Sequence, residues 1–315
     1  MIRIATRRSP LAKWQANHVA DLLRAQEPGL EVVLHELMTK GDRILEVPLA
    51  EVGGKGLFVK EIEDALLKGD AEIAVHSMKD LPAELAPGLV IAAVPVREDP
   101  RDALCSPRWK TLDQLPKGAK VGTSSLRRGA QLKAVRPDLE LHVVRGNVQT
   151  RLNKATSELD AVVLAYAGLR RLGLAEHATQ VLSPDEMLPA VAQGALALEA
   201  RAADAATMAR LARLEHPETR VRIEAERGFL GRIEGGCQVP IAGHATVEGG
   251  TVKMRALVAS LDGTRIIRGE RSGPAASARA MGVALAEDLL SKGAAAILKE
   301  AEGKAAALSA PKRQG

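Results

Sequence analysis

Arginine recurs in this chain at one kind of place. Arg7, with Arg8 and Ser9, follows a short strand-like run over residues 3–5. Arg127 and Arg128 stand in Gly122-Thr-Ser-Ser-Leu-Arg-Arg128, where a strand ends in glycine, hydroxyl residues can cap, and a helix begins. Arg145 closes another strand before Gly146-Asn147, and Arg151 falls in the helix that follows; Arg170 and Arg171 end the strand and turn over 164–169. Guanidinium forks grip carboxylates bidentately, and free N–H groups at a helix start favour anions too. Any one of these arginines reads equally well as a solvated surface charge. Their recurrence at one strand edge points to a ligand with several carboxylates.

Two further residues stand out for their type. Asp80, in Ala74-Val-His-Ser-Met-Lys-Asp80, lies just past a strand, with Ser77 and Lys79 beside it. A carboxylate facing a basic cleft stays ionised and can stabilise a cation or move a proton, although a turn-capping role or a pair with Lys79 stands beside that reading. His76 reads as a strand-end packing residue. Cys237 lies in Glu234-Gly-Gly-Cys-Gln-Val-Pro240, where two glycines make an open loop, so the thiol is a candidate nucleophile or attachment point. Cys105, in apolar surroundings, reads as a core thiol. Gly53-Gly-Lys-Gly56 lacks the spacing and hydroxyl of a P-loop and reads as a glycine-hinged lid or a plain surface loop.

Positioning these residues at strand ends requires a parallel-sheet scaffold. The pattern predicts strands over 3–5, 31–38 and 73–76 with helices over 11–26 and 58–67. After a charged linker over 97–102, a second series follows: strands over 120–122, 139–145 and 161–165, helices over 126–135 and 148–154. Ligands of such sheets bind at the carboxyl ends of the strands. The last hundred residues differ: a helix over 222–233, a meander over 242–248, 251–260 and 264–269, then an alanine-rich helix over 275–302 broken near Gly293. The class is α/β with a small C-terminal α+β domain. The expected domains are residues 1–96 with 195–214, residues 100–192, and residues 217–304, with a disordered tail over 305–315.

Composition narrows the partners. The 315 residues carry 44 basic and 39 acidic side chains, net +5, and only five aromatic rings. So few rings exclude stacking modules for nucleic acid. The basic surplus is neither a tail nor a lysine run: residues 1–99 hold 12 basic and 16 acidic side chains, while residues 100–194 hold 14 and 9. The two cysteines have no metal-ligand spacing, which excludes a disulfide framework and gives no metal site. No signal peptide and no membrane-length apolar run is present, so a cytoplasmic location is expected.

Taken in order, these motifs resemble porphobilinogen deaminase (hydroxymethylbilane synthase) over nearly the whole chain. The matching text is Arg3-Ile-Ala-Thr-Arg7, Gly53-Gly-Lys-Gly-Leu-Phe58, Ala74-Val-His-Ser-Met-Lys-Asp80, Arg97-Glu-Asp-Pro-Arg-Asp102, Gly122-Thr-Ser-Ser-Leu-Arg-Arg128, Arg145-Gly-Asn147, Gln193-Gly-Ala195 and the Cys237 loop. The resemblance implies two domains like those of type II periplasmic binding proteins and a third that carries a cofactor cysteine. It implies a dipyrromethane cofactor joined by a thioether to Cys237. On it, four porphobilinogen molecules are deaminated and condensed in turn, and hydrolysis releases linear hydroxymethylbilane. It casts Asp80 as the catalytic carboxylate that stabilises the azafulvene cation. Arg7, Ser9, Ser77, Lys79, Thr123, Ser125, Arg127, Arg128, Arg145, Arg151, Arg171 and Gln193 are implied to hold cofactor and substrate carboxylates along the growing polypyrrole chain, with Lys55 and Phe58 on the active-site loop. A monomer is implied, with hand-off of product to uroporphyrinogen-III synthase. The chain departs from the pattern at Glu51, where lysine is expected in many bacterial members, and at Ala192, where glycine is usual. The competing reading is a non-catalytic carboxylate-binding protein of the type II binding-protein fold.

Overall fold

The computed structural model describes residues 1–39, 59–233 and 239–309. The first sheet holds β1 (Ile2–Arg7), β2 (Val32–Leu37), β3 (Ile73–Ser77), β4 (Leu89–Ala93) and β10 (Leu196–Arg201) in the order β2-β1-β3-β10-β4. Helix α1 (Pro10–Gln26) covers one face and α2 (Lys60–Lys68) the other. The Ser9 hydroxyl caps α1 at the Ala12 N–H, and Ala16, Val19, Ala20 and Leu23 repeat at helical spacing to pack on Ile2, Ile4 and Val75. Because both faces are covered, β3 is apolar at successive positions Ile73, Ala74 and Val75 rather than alternating.

The second sheet holds β5 (Asp102–Cys105), β6 (Lys120–Gly122), β7 (Glu140–His142), β8 (Ala161–Ala165) and β9 (Gln180–Leu182) in the order β7-β6-β8-β5-β9. Helices α3 (Leu126–Val135), α4 (Val148–Ser157) and α5 (Tyr166–Arg171) connect its strands. The two sheets share one plan. Each has three parallel strands and then a strand antiparallel to both of its neighbours, β10 in the first sheet and β5 in the second. Those two strands are reached by the segments that cross between the domains, residues 94–101 and 188–195. At their closest approach a Cβ on Gly194 would meet the Glu98 carbonyl oxygen at 2.4 Å, and Gly194 has φ +87°, so only glycine fits.

Helix α6 (Ala205–Ala212) packs on the first sheet, and the small domain is a meander of β11 (Ile241–Glu248), β12 (Thr251–Ala259) and β13 (Ile266–Pro274) covered by α7 (Pro217–Ile233) and α8 (Ala278–Leu289), with α9 (Ala295–Ser309) following. Wholly buried Phe229 centres its core against Met254, Val258 and Met281. Helices α7 and α8 touch at backbone distance, since a Cβ on Gly282 would meet the Ala225 carbonyl oxygen at 1.9 Å. One acid ties this domain to the crossovers. Buried Glu226 of α7 receives Arg97 through Nη1 at 2.6 Å and Nη2 at 3.0 Å, the Ala192 N–H at 2.6 Å and the Ala245 N–H at 2.8 Å. Burial alone would raise its carboxyl pKa, but Arg97 and the His244 contact hold it down, to about 2.

The α/β class with a C-terminal α+β domain is as expected, and several elements differ in detail. The expected linker over 97–102 ends in a central strand, because Asp102 begins β5. Arg170 and Arg171 end a helix, α5, rather than a strand and turn. Strand β7 stops at His142, so Arg145 lies in the loop beyond it. Helix α7 begins at Pro217, earlier than 222, and β13 runs to Pro274. The break at Gly293 is present, with φ +105°, but α9 then continues to Ser309. The expected tail thus begins inside a helix, whose Lys-Ala-Ala-Ala-Leu run has high helix propensity; residues 310–315 lie outside the described residues.

Candidate functional site

The carboxyl ends of both sheets face one cavity of about 420 Å³, within the usual size of a small-molecule site. From the first sheet, β1 delivers Arg7 and Ser9, and β3 delivers Ser77, Lys79 and Asp80, the last two on a 3-10 turn over Met78–Asp80. From the second come Arg128 at the start of α3, Arg145 in the loop after β7, and Arg151 in the first turns of α4. Eight of the residues singled out from the sequence therefore line a single cavity, five from one domain and three from the other.

Asp80 is exposed and, among the described residues, makes no hydrogen bond or ion pair. Cations surround it. Burial lowers the Arg151 pKa, as do Arg128 and Arg145, while Asp80 opposes them. Arg151 Nε donates to the Gly146 carbonyl at 2.9 Å. Lys79 is open to the cleft yet crowded by protein atoms; this crowding, with Arg128, lowers its ammonium pKa to about 8, against Asp80 and Asp102. Water in the cleft screens this crowding, so the shift leaves Lys79 charged at neutral pH. Nη1 of Arg145 is buried without a hydrogen-bond partner among the described residues. A buried donor left open in this way is costly unless an acceptor arrives, and a ligand carboxylate meets that need.

The remaining arginines have other work. Arg127 donates from Nη1 to Asp102 Oδ2 at 2.7 Å and to the Leu188 carbonyl at 2.8 Å, and it does not line the cavity. Arg128 shares Asp102 through Nε at 2.9 Å and also reaches the Val163 carbonyl, so it both borders the cavity and is anchored behind it. Gln193 donates to Asp102 Oδ1 at 2.8 Å and to the Pro100 carbonyl at 2.7 Å, while its Oε1 accepts from Lys79 Nζ at 3.2 Å. Burial would raise the Asp102 carboxyl pKa, but Arg127 and Arg128 hold it well below its ordinary value. Asp102 was not singled out from the sequence; the only signal was a carboxylate in an otherwise apolar Ala-Leu-Cys run.

Arg171, buried, donates to the Gly194 carbonyl at 2.7 Å and lies 5.9 Å from the Trp14 ring centroid. Burial pushes its guanidinium down to about 10, with Glu98 opposing. Thr123 and Ser125 also stay out of the cavity: the Thr123 hydroxyl accepts from the Ser125 N–H, and Ser125 caps α3 at Arg128 N. Ser124 lines the cavity in their place. Thus Arg127, Arg171, Gln193, Thr123 and Ser125 do not line this cavity, and protein acceptors or caps engage them. Cys237, Lys55, Phe58 and Glu51 lie outside the described residues. Cys105 is buried in β5, and burial pushes its thiol up to about 12. Among the described residues no cluster of His, Cys, Asp and Glu could hold a metal, and no helix is long and apolar enough to cross a membrane.

Known proteins are similar to this sequence over most of its length. Residues 2–209 match the family model described as porphobilinogen deaminase, dipyrromethane cofactor binding domain, and residues 220–291 match that of the porphobilinogen deaminase C-terminal domain. The chain is 55% identical over 307 residues to porphobilinogen deaminase of Nitratidesulfovibrio vulgaris, covering 96% of this chain and 98% of that protein. It is 54% identical over 298 residues to porphobilinogen deaminase of Syntrophotalea carbinolica, covering 94% and 95%. Among solved structures it is similar to the methionine-binding protein MetQ, with a TM-score of 0.44 and 15% identity over 68% of this chain and 89% of that one. It is similarly related to a periplasmic substrate-binding protein of Coxiella burnetii, with a TM-score of 0.44 and 14% identity over 69% and 93%. With two family models covering nearly all of it and relatives more than half identical along its length, the chain belongs to the porphobilinogen deaminase family.

Proposed function

We propose that this chain is a hydroxymethylbilane synthase, a transferase of haem biosynthesis. It deaminates porphobilinogen, joins four molecules head to tail on a dipyrromethane cofactor, and frees the linear product by hydrolysis. The observation that carries this reading is one carboxylate, Asp80, unpaired among the described residues, in a cavity walled by Arg7, Arg128, Arg145, Arg151 and Lys79. Every pyrrole of the substrate carries an acetate and a propionate, so each ring brings two anions for those cations to hold. Asp80 is left for the reacting centre. Its carboxylate stabilises the positive charge that develops as ammonia departs, and it can accept a proton from the coupled ring.

The open Nη1 donor of Arg145 fits a carboxylated cofactor. Arg128, Arg145, Arg151 and Ser77 would hold dipyrromethane, and Cys237 would attach it. When bound, that group supplies the free pyrrole carbon at which growth begins. The domains we assign are residues 1–96 with 195–214, residues 100–192 and residues 217–304. Lys55 and Phe58 we assign to the active-site loop. We assign the protein to the cytoplasm as a monomer that hands its product to uroporphyrinogen-III synthase. A non-catalytic carboxylate-binding protein is not favoured, since relatives at 55% and 54% identity bear the enzyme's name. Intact mass tests the reading. Purified protein should exceed its sequence mass by two linked pyrroles, and Cys237→Ser should lose the adduct; a bare wild-type mass after incubation with porphobilinogen would overturn it.

A further inference from the structure

The strand that delivers Asp80 carries a second titratable pair, which the reaction as described above leaves without a part. His76, directly before Ser77 on β3, is buried, and its Nε2 lies 2.8 Å from Oε2 of Glu199 on the antiparallel neighbour β10. Glu199 is wholly buried, and its Oε1 has no hydrogen-bond partner among the described residues. A carboxylate in this position accepts from Nε2–H, which fixes the tautomer and makes Nδ1 the nitrogen able to accept a proton. His76 also lines a small cavity of about 70 Å³ whose wall includes Asp80, Arg7, Ser77 and Gln15. At roughly 30 Å³ per water in the liquid, that space suits one or two waters with polar partners on several sides. The remaining titratable neighbour is Glu63 of α2, whose pKa is raised by burial and by Glu199 and lowered by the Ala86 N–H and His76. Thus, among the described residues, Glu199, Glu63, Asp80 and Arg7 are the charged groups that face the imidazole from β10, α2 and the cavity.

We propose that His76, oriented by Glu199, is the proton relay of Asp80. The proposal rests on the role given to Asp80 above. When a pyrrole carbon attacks the next unit, its C–H bond breaks, the electron pair returns to the ring, and the proton passes to Asp80. A polypyrrole chain lying across the cleft covers the solvent side of Asp80 and leaves the small cavity as its other outlet. Water there carries the proton from Asp80 to Nδ1 of His76. The imidazolium gives it back along the same path to solvent once the chain has moved on, so each cycle ends with both groups in their starting state. Imidazole suits this task because one ring nitrogen can donate to a fixed acceptor while the other accepts a proton. His76 touches no reacting atom on this account and is a positioning and relay residue that acts through Asp80.

The test uses the full-length, cofactor-loaded enzyme. His76→Gln keeps a donor for Glu199 but cannot take up a proton, and Glu199→Gln keeps an acceptor for the ring but removes the charge. Both are measured for kcat and KM with porphobilinogen between about pH 6 and 9, with Tm and intact mass as controls. The expected result for His76→Gln is a kcat about tenfold lower, KM within about twofold of wild type, and an altered pH dependence of kcat. In an Asp80→Ala background the same substitution should have no further effect on kcat. Wild-type kcat and pH profile in both variants would overturn the relay. So would a fall in Tm accompanied by parallel changes in kcat and KM, which marks packing alone. Should His76→Gln fail to fold, Glu199→Gln is read by the same criteria. Wild-type enzyme that carries the cofactor yet leaves porphobilinogen unchanged would refute the proposed function instead.

Discussion

Arg128 is bonded to one aspartate and shares a cavity with another, and the surroundings of the two differ in one respect. Asp102 is buried and fully answered: Arg127, Arg128 and Gln193 all donate to it. Asp80 is open to the cleft and makes no ion pair among the described residues, although Arg128, Arg151 and Lys79 share its cavity. The first pair of charges is closed and holds the second domain together. The second is left open, so its cations remain available to ligand carboxylates and its carboxylate to a developing positive charge. Arginine in a basic cleft is therefore not one population. Arg127, held by Asp102 and the Leu188 carbonyl, builds the wall, whereas Arg145 and Arg151 line the cavity as sockets and Arg128 belongs to both.

This contrast can be broken from either side. The largest effect is expected at the closed aspartate: Asp102→Ala leaves two buried guanidinium groups unanswered and should cost about 3–5 kcal/mol, read as a fall in urea midpoint. A loss under 1 kcal/mol would show that the cluster is not structural. Asp80→Ala should do the opposite, lowering kcat roughly 10²–10³-fold while Tm moves by no more than a few degrees. A full-rate Asp80→Ala enzyme would end the distinction drawn between the two sites. Lys79, joined to Asp102 through Gln193 and sharing a cavity with Asp80, gives a smaller, pH-dependent effect. Its ammonium pKa is lowered to about 8, so the charge is present below that pH and is lost above it. The KM for porphobilinogen should rise as pH passes about 8 in wild type and stay level across that range in Lys79→Met. The smallest effect is at Ala192, which has φ +59° beside Gln193. Ala192→Gly should stabilise the fold by no more than about 1 kcal/mol, since left-handed strain is relieved while backbone entropy is lost.

Local pattern made much of this scaffold legible. Strands over 120–122 and 161–165 and the helix over 126–135 are found at those limits, because apolar runs, caps and flanking glycines mark them. What local pattern could not supply is pairing over distance. Residues 97–102 look like a polar linker, yet Asp102 begins a central strand because β8 and β9 flank it from positions 59 or more residues further along. The same limit divides Arg127 from Arg128. They are adjacent in sequence and alike in type, but one turns to the Leu188 carbonyl and the other borders the cavity. Likewise the hydroxyl run at 123–125 promised ligand contacts, and only Ser124 lines the cavity, since capping α3 takes Ser125.

The exchange of β5 and β10 between the sheets has a mechanical consequence. Each crossing ends in a strand lodged between two others, β5 between β8 and β9 and β10 between β3 and β4. A single nick in residues 94–101 would leave the amino-terminal fragment clasped on both sides of β10 by two ladders of hydrogen bonds. The two large domains are therefore interlocked by their paired connections, and neither can be traded between molecules or peeled away without drawing a strand out of the middle of its sheet.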